Sequence, residues 1–340
     1  MPYPFDLTDL RFRVLGAPMA GGPSTPELAA AVTNGGGLGF LAGGMLAADD
    51  LADAIVAARR LTSGPLGVNL FVPQRRVGTA KQLAAFAAAL AEEAEYYGVA
   101  LGKPRGDYNE WAAKFEVLCD LRPEVVSFTF GSPSDDECRH LNDVGTFTLA
   151  TITTTREAMI ALSCGVDAVV AQGPDAGGHR ATFDALATPP DAPLEELVAA
   201  LVARFDCPVV AAGGVGNSRA VSRLRDGGAT AVQCGTAFLL ADEAGTDPVH
   251  RAALWDPRFI EAVVTRAFTG RYARALRNRF VERYDAAAVF GFPDVAMMTA
   301  PIQEAAVKLG DPHGTALWAG TAFRHTKTGP AADIVRELAG

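Results

Sequence analysis

Eight short apolar runs, each set apart from the next by enough chain to form a helix, constrain this sequence more than any other feature. They fall at residues 14–18, 38–42, 66–71, 124–128, 147–151, 168–171, 208–212 and 231–235. Antiparallel strands need only a tight turn between them, whereas connections of this length suit crossover helices. The runs therefore read as parallel strands. Several connecting helices are legible. Thr25 is placed to cap a helix that opens on Pro26 and continues through 27–32. Further helical periods cover 47–61, 80–97, 156–163, 194–205 and 218–226, the last closed by Gly227-Gly228.

The fold class expected from this alternation is α/β, a (β/α)8 TIM barrel with a mainly helical insertion after the last strand. The chain of 340 residues suits one barrel of about 250 residues plus additions. Residues 1–241 and 311–340 are assigned to the barrel, and 242–310 to an inserted helical lid or subdomain. A second irregular insertion spans 98–115. A doubly wound open sheet is the rival. It predicts one glycine-rich fingerprint after the first strand, and Pro18-Met19-Ala20-Gly21-Gly22 lacks that spacing.

Charge and composition narrow the function. Lys and Arg total 30 against 39 Asp and Glu, a net charge of −9, with no basic stripe. Nucleic-acid and anionic-membrane partners are disfavoured. Nothing in the sequence is long and apolar enough for a membrane span. The five cysteines, Cys119, Cys138, Cys164, Cys207 and Cys234, form no CxxC pair. They read as reduced, buried side chains of a cytoplasmic protein, with neither disulfide frame nor metal site. The opening Met1-Pro2-Tyr3-Pro4-Phe5-Asp6 has no signal-peptide pattern. The oligomeric state stays open, a homodimer included.

Three groups of residues carry chemistry. The first is 172–180, Gln-Gly-Pro-Asp-Ala-Gly-Gly-His-Arg, directly after the sixth run. In a barrel this is the catalytic face. Gly177 and Gly178 let backbone approach a flat ligand, and His179 then points at its reactive edge. An ordinary histidine titrates near neutrality, which suits proton transfer. The bland alternative is a surface loop with an incidental histidine. The second group is Ala212-Gly213-Gly214 after the seventh run and Gln233, Gly235 and Thr236 after the eighth. Loops there form the usual barrel phosphate site, and glycine-rich turns bind an anion through backbone N–H groups. The third group is scattered. Asn69 and Gln172 are amides at strand ends, suited to the pyrimidine edge of a flavin. A turn at Met19-Ala20 is placed to cover one face of its ring. Tyr96, Tyr108, Tyr272, Tyr284, Phe290 and Trp318 are candidate pocket aromatics, although aromatics more often pack cores.

These segments, taken in order, resemble the nitronate monooxygenase family. The resemblance is carried by Ala17-Pro18-Met19-Ala20-Gly21, by 25–32, by 36–40 and by 67–71. It continues through 176–180, 211–214, 235–239, Phe268-Thr269-Gly270-Arg271, 277–280 and Trp318-Ala319-Gly320. Two positions depart from the family pattern. Ala181 stands where glycine is frequent, and Thr321 where glutamine is frequent. The resemblance implies an FMN enzyme that oxidises alkyl nitronates with O2 to carbonyl compounds and nitrite. It implies His179 as catalytic base, with flavin contacts at Met19, Asn69, Gln172, Gly178, Gly214, Gly235 and Thr236. For a nitroalkane, His179 removes the α-proton; for a nitronate, a protonated His179 orients the nitro oxygens. The partners expected are a small-molecule substrate and O2.

An alternative shares the fold: an NAD(P)H-dependent flavin reductase of the enoyl-acyl-carrier-protein or quinone reductase type. A non-redox barrel acting on sugar phosphates usually places a lysine or carboxylate at a strand end, and the candidates here are thin: Asp167 precedes its strand and Glu124 starts one. A silent flavin-binding protein would have no reason to keep Gly177-Gly178-His179.

Overall fold

The computed structural model describes residues 5–104 and 109–340. Eight parallel strands run in the order β1-β9-β8-β6-β5-β4-β3-β2. They are β1 (Val14–Gly16), β2 (Gly39–Ala42), β3 (Leu66–Phe71), β4 (Val125–Thr129), β5 (Phe147–Ile152), β6 (Ala168–Gln172), β8 (Val209–Ala212) and β9 (Ala231–Cys234). The ring closes where Leu15 bridges Leu38 in parallel, with the Gly16 N–H donating to the Leu38 carbonyl at 2.9 Å. The expected barrel is therefore present, with strand bounds within a residue or two of those read from the sequence.

The two-residue side-chain period of a strand sorts this barrel into inside and outside. Leu15, Phe40, Val125, Leu149, Val170, Val210 and Ala231 fill the interior. Leu7 and Leu10, from the turn preceding β1, join the same cluster. Intervening residues such as Val169, Val209 and Val232 face the helices instead. By the same period Asn69, Gln172, Ala212 and Gln233 point inward at the carboxyl ends of their strands.

The outer helices depart from expectation in one place. The helical period read at 80–97 does not lie on the barrel. It breaks into Ala80–Ala89 and Ala91–Tyr96. Phe86, Leu90, Ala94 and Tyr97 pack there against Phe268, Phe280 and Val295 of the later segment. The barrel crossover between β3 and β4 is Trp111–Leu121, whose Leu118 packs beside Leu51, Ile55 and Val126. Amphipathic spacing shows that a helix buries one face; it does not show which partner receives that face. The final helix, Ala331–Ala339, completes the outer ring by packing Val335 and Leu338 with Val32 and Leu224.

The segment 242–310 holds helices Pro248–Trp255, Arg279–Tyr284 and Asp294–Lys308. It also holds a hairpin not anticipated from the sequence, β10 (Ala262–Thr265) and β11 (Ala273–Leu276). A two-residue strand after β6, β7 (Gly178–His179), adds to this hairpin antiparallel to β11. No helix among the described residues is long and apolar enough to cross a membrane.

Candidate active site

His179 is placed by two layers of hydrogen bonds. Gln172, at the end of β6, donates from Nε2 to the His179 carbonyl at 3.0 Å. Its Oε1 accepts from the Ala181 N–H at 2.9 Å. One inward-facing amide thus bridges both flanks of the histidine. Ala181, where the family pattern favours glycine, is fully buried. From the other side, Ala273 of β11 pairs with His179, and the Arg180 N–H donates to the Tyr272 carbonyl at 2.8 Å. Arg180 and Arg274 clamp the intervening loop, both donating to the Pro174 carbonyl. Burial lowers the Arg180 pKa to about 10, which leaves it charged at neutral pH.

The imidazole faces an aromatic box. Its ring centroid lies 5.4 Å from Phe292, 5.5 Å from Phe130, 5.7 Å from Trp318 and 6.4 Å from Phe71. None of the three phenylalanines stands out in the sequence as a site residue. Phe71 is the inward residue ending β3. Phe130 follows β4 with φ +76°, a left-handed backbone that is strained for a bulky residue. Phe292 comes from the later segment. Arg271, 1% exposed, lays its guanidinium 4.0 Å above the Phe130 ring and donates to the Thr182 carbonyl. Burial first, and then the Arg271 charge, push the His179 imidazole down to about 3. It is therefore neutral near pH 7, and the protonated His179 expected to orient a nitronate is not the state this surrounding favours. The positive charge beside it is that of Arg271.

The predicted anion loops come together at the same end. Gly213 and Gly214 both have positive φ, at +119° and +69°. The Thr236 hydroxyl accepts from the Gly320 N–H at 2.9 Å, which joins the turn after β9 to Trp318-Ala319-Gly320. Gly177 is required where that segment passes the histidine loop: a Cβ there would meet the Gly320 nitrogen at 2.5 Å. At Gly178, with φ +72°, a Cβ would meet nothing within 4 Å, so its backbone faces open space. The turn at Met19-Ala20 is tied by Ser24, whose hydroxyl accepts from the Met19 N–H at 2.8 Å. Met19 packs near Gly235, and Ala20 against Phe71, Phe130 and Phe292.

Two amides bear on whether a flavin fits. Gln233 is buried at the end of β9, and its Oε1 has no hydrogen-bond partner among the described residues. Such an orphaned acceptor at a strand end matches a ring N–H of a bound ligand. Asn69 donates toward Ser127 and Thr129 of β4, at 2.9 Å and 3.1 Å to their hydroxyl oxygens. With positive-φ glycine turns beyond it, this end of the barrel suits a flat ring carrying a phosphate.

The remaining sequence candidates disperse. Tyr96 is exposed at the protein surface. Tyr284 is buried against Glu93, to which its hydroxyl donates at 2.9 Å. Tyr272 and Phe290 pack edge to face beneath Arg266. Among the described members of that set, Trp318 alone reaches His179. Tyr108 lies outside the described residues. Among the described residues no cluster of His, Cys, Asp and Glu is arranged to hold a metal ion.

A parallel eight-stranded barrel with a neutral, aromatic-boxed histidine and glycine turns at its carboxyl face defines a flavin-dependent barrel oxidoreductase. The model of one family, nitronate monooxygenase, matches residues 6–340, and the chain belongs to that family. A nitronate monooxygenase of Pseudomonas aeruginosa is 38% identical, the match covering 98% of this chain and 98% of that protein. The solved structure of nitroalkane oxidase from Streptomyces ansochromogenes superposes with a TM-score of 0.93 at 43% identity, covering 98% of this chain and 96% of the other. FabK from Thermotoga maritima is more distant, with a TM-score of 0.75 at 26% identity over 98% of this chain and 93% of its own.

Proposed function

We propose that this enzyme oxidises alkyl nitronates, or the nitroalkanes from which they form, with O2 to carbonyl compounds and nitrite, and that its flavin is FMN. The observation that carries the reading is the His179 imidazole set in an apolar box beside the buried Arg271 guanidinium, surroundings that favour its neutral form. Neutral His179 accepts the α-proton of a nitroalkane. The Arg271 charge favours the anion so formed and equally a nitronate taken up ready-made. Phe71, Phe130, Phe292 and Trp318 exclude water and suit a short alkyl chain. The names of two relatives, a nitronate monooxygenase and a nitroalkane oxidase, point to the same substrates.

Gly213-Gly214 and Gly235-Thr236 are the residues that would hold the phosphate of FMN. Asn69, Gln172 and Gln233 would face its ring, with Met19-Ala20, Gly177-Gly178 and Ala212 closing around it. The flavin, when bound, supplies the electron transfer that no protein side chain here provides. In the same reading, 242–310 is an inserted subdomain over a barrel of 1–241 and 311–340, with 80–97 packed on it. A cytoplasmic location agrees with five unpaired cysteines.

The test is anaerobic mixing of the purified protein with ethylnitronate, NADH and NADPH in separate experiments. Prompt bleaching of the flavin by ethylnitronate, without response to either nucleotide, is the expected result. Bleaching by a nucleotide alone would overturn the reading in favour of a reductase.

A further inference from the structure

We propose that Thr269 is a positioning residue that holds His179 as the tautomer protonated on Nε2, leaving the Nδ1 lone pair as the base. The inference rests on His179 being the base of the proposed reaction.

The Thr269 hydroxyl lies between two groups. It is 3.0 Å from His179 Nε2 and 3.2 Å from the carbonyl oxygen of Arg271. A carbonyl oxygen only accepts, so the single hydroxyl proton is what bridges to Arg271. Thr269 then has only lone pairs to offer Nε2, and Nε2 must carry the proton. The opposite tautomer turns the hydroxyl proton toward Nε2. Two acceptor oxygens would then face each other at 3.2 Å, in a place where Thr269 is only 8% exposed. It would also put a proton on Nδ1, which meets no hydrogen-bond acceptor among the described residues.

The hydroxyl is not free to move away. Phe268 and Gly270 hold the turn on either side of Thr269. The Phe268 carbonyl accepts from the Thr299 hydroxyl at 2.6 Å, and the Gly270 carbonyl from the Gly291 N–H at 3.0 Å. The turn links β10 to β11, and β11 pairs with the strand of His179. One hairpin therefore fixes both ends of the Thr269–His179 contact. A neutral imidazole has one ring proton to place, and this contact determines where it goes.

The first measurement is the 15N spectrum of flavin-loaded protein labelled in its histidines, with the His179 signals identified by their loss in His179→Gln. A protonated Nε2 with a bare Nδ1 is expected. The reverse pattern in the unaltered protein would overturn the proposal, whatever the variants do. Thr269→Val keeps the shape and removes the hydroxyl; Thr269→Ser keeps the hydroxyl. The Val variant is expected to shift His179 toward mixed tautomers and to lower kcat/KM for nitroethane by about 10- to 100-fold, a loss of the size found when the ring N–H partner of a metal-bound histidine is removed. Ethylnitronate, which has no proton to remove, is expected to keep its rate within about twofold. The Ser variant is expected to restore both spectrum and rate. An unchanged spectrum and rate in the Val variant would also overturn the proposal. Failure of the parent reading looks different: His179→Gln would then turn over nitroethane normally, while the Nε2–H signal would still be present in the unaltered protein.

Discussion

Ala273 pairs with His179 in antiparallel register, so the strand carrying the candidate base is held by the hairpin of the later segment as well as by the barrel. The candidate base is thus held from two separate stretches of chain. Its loop leaves β6, and its ladder partner comes from a segment 94 positions further along the chain (273 − 179).

Replacing His179 with Gln should therefore leave the fold and the flavin spectrum in place and remove proton transfer. A fall of about 10²- to 10⁴-fold in turnover of a neutral nitroalkane is expected. Steady-state oxygen uptake with nitroethane checks it, and unaltered uptake would remove His179 from the role of base.

Acid should weaken the folded state through two histidines. Burial pushes His179 down to about 3 and His250 down to about 4, against an ordinary 6.5. Between those values the unfolded chain binds protons that the native chain does not. The stabilisation is complete above about pH 6.5 and is lost as pH falls toward 4 and 3. Urea midpoints at pH 7.5 and 5 should fall in the unaltered protein and fall less in His250→Gln. Equal slopes would contradict this assignment.

Phe130 bears on both stability and rate. It is 1% exposed, touches Phe71 at 4.8 Å and supports Arg271 at 4.0 Å. Phe130→Ala should cost about 3 kcal/mol by leaving a cavity. The freed guanidinium and the opened box should also raise KM for short nitroalkanes. Chemical denaturation and a KM measurement on the same preparation test the two effects separately.

Glu93 is wholly buried and is met by Arg279 at 2.7 and 2.8 Å and by the Tyr284 hydroxyl. It ties the 91–96 helix to the later segment. Arg279→Ala would strand that carboxylate, at a cost of about 2 kcal/mol, since Arg279 itself is partly solvated. A lowered melting temperature with an unchanged kcat is the expected outcome; no change in melting would mean that the pair is structurally idle.

Gly177→Ala should drive the histidine loop away from Gly320, because the new methyl carbon meets the Gly320 nitrogen at 2.5 Å. Overpacking of this kind costs about 1–3 kcal/mol. Flavin content per chain, read from absorbance after gel filtration, should drop. Full flavin content would show that the two segments tolerate separation.

Much of the scaffold is legible in the sequence. The run at 66–71 is β3 to the residue, and Thr25 caps its helix by accepting from the Leu28 N–H as its position suggests. Gly177, Gly178 and His179 stand out because two glycines beside a histidine after a strand are locally unusual. The aromatic box was not legible. Phe71, Phe130 and Phe292 lie in three separate segments, and each alone resembles ordinary core. Thr269 shows in the sequence only as part of a motif; its partner His179 is 90 residues away. The 80–97 period was read correctly as helix and assigned to the wrong neighbour.

The sequence by itself determined the alternation of strand and helix, the amides Asn69 and Gln172 at strand ends, and the glycines that follow the strands. These follow from periodicities of two and 3.6 residues and from local backbone preferences, which act over a few neighbouring positions. Only the tertiary structure decided the charge of His179, the company of its ring and the docking of 80–97. Those depend on which surfaces exclude water from one another. That exclusion is a property of residues brought together from across the chain.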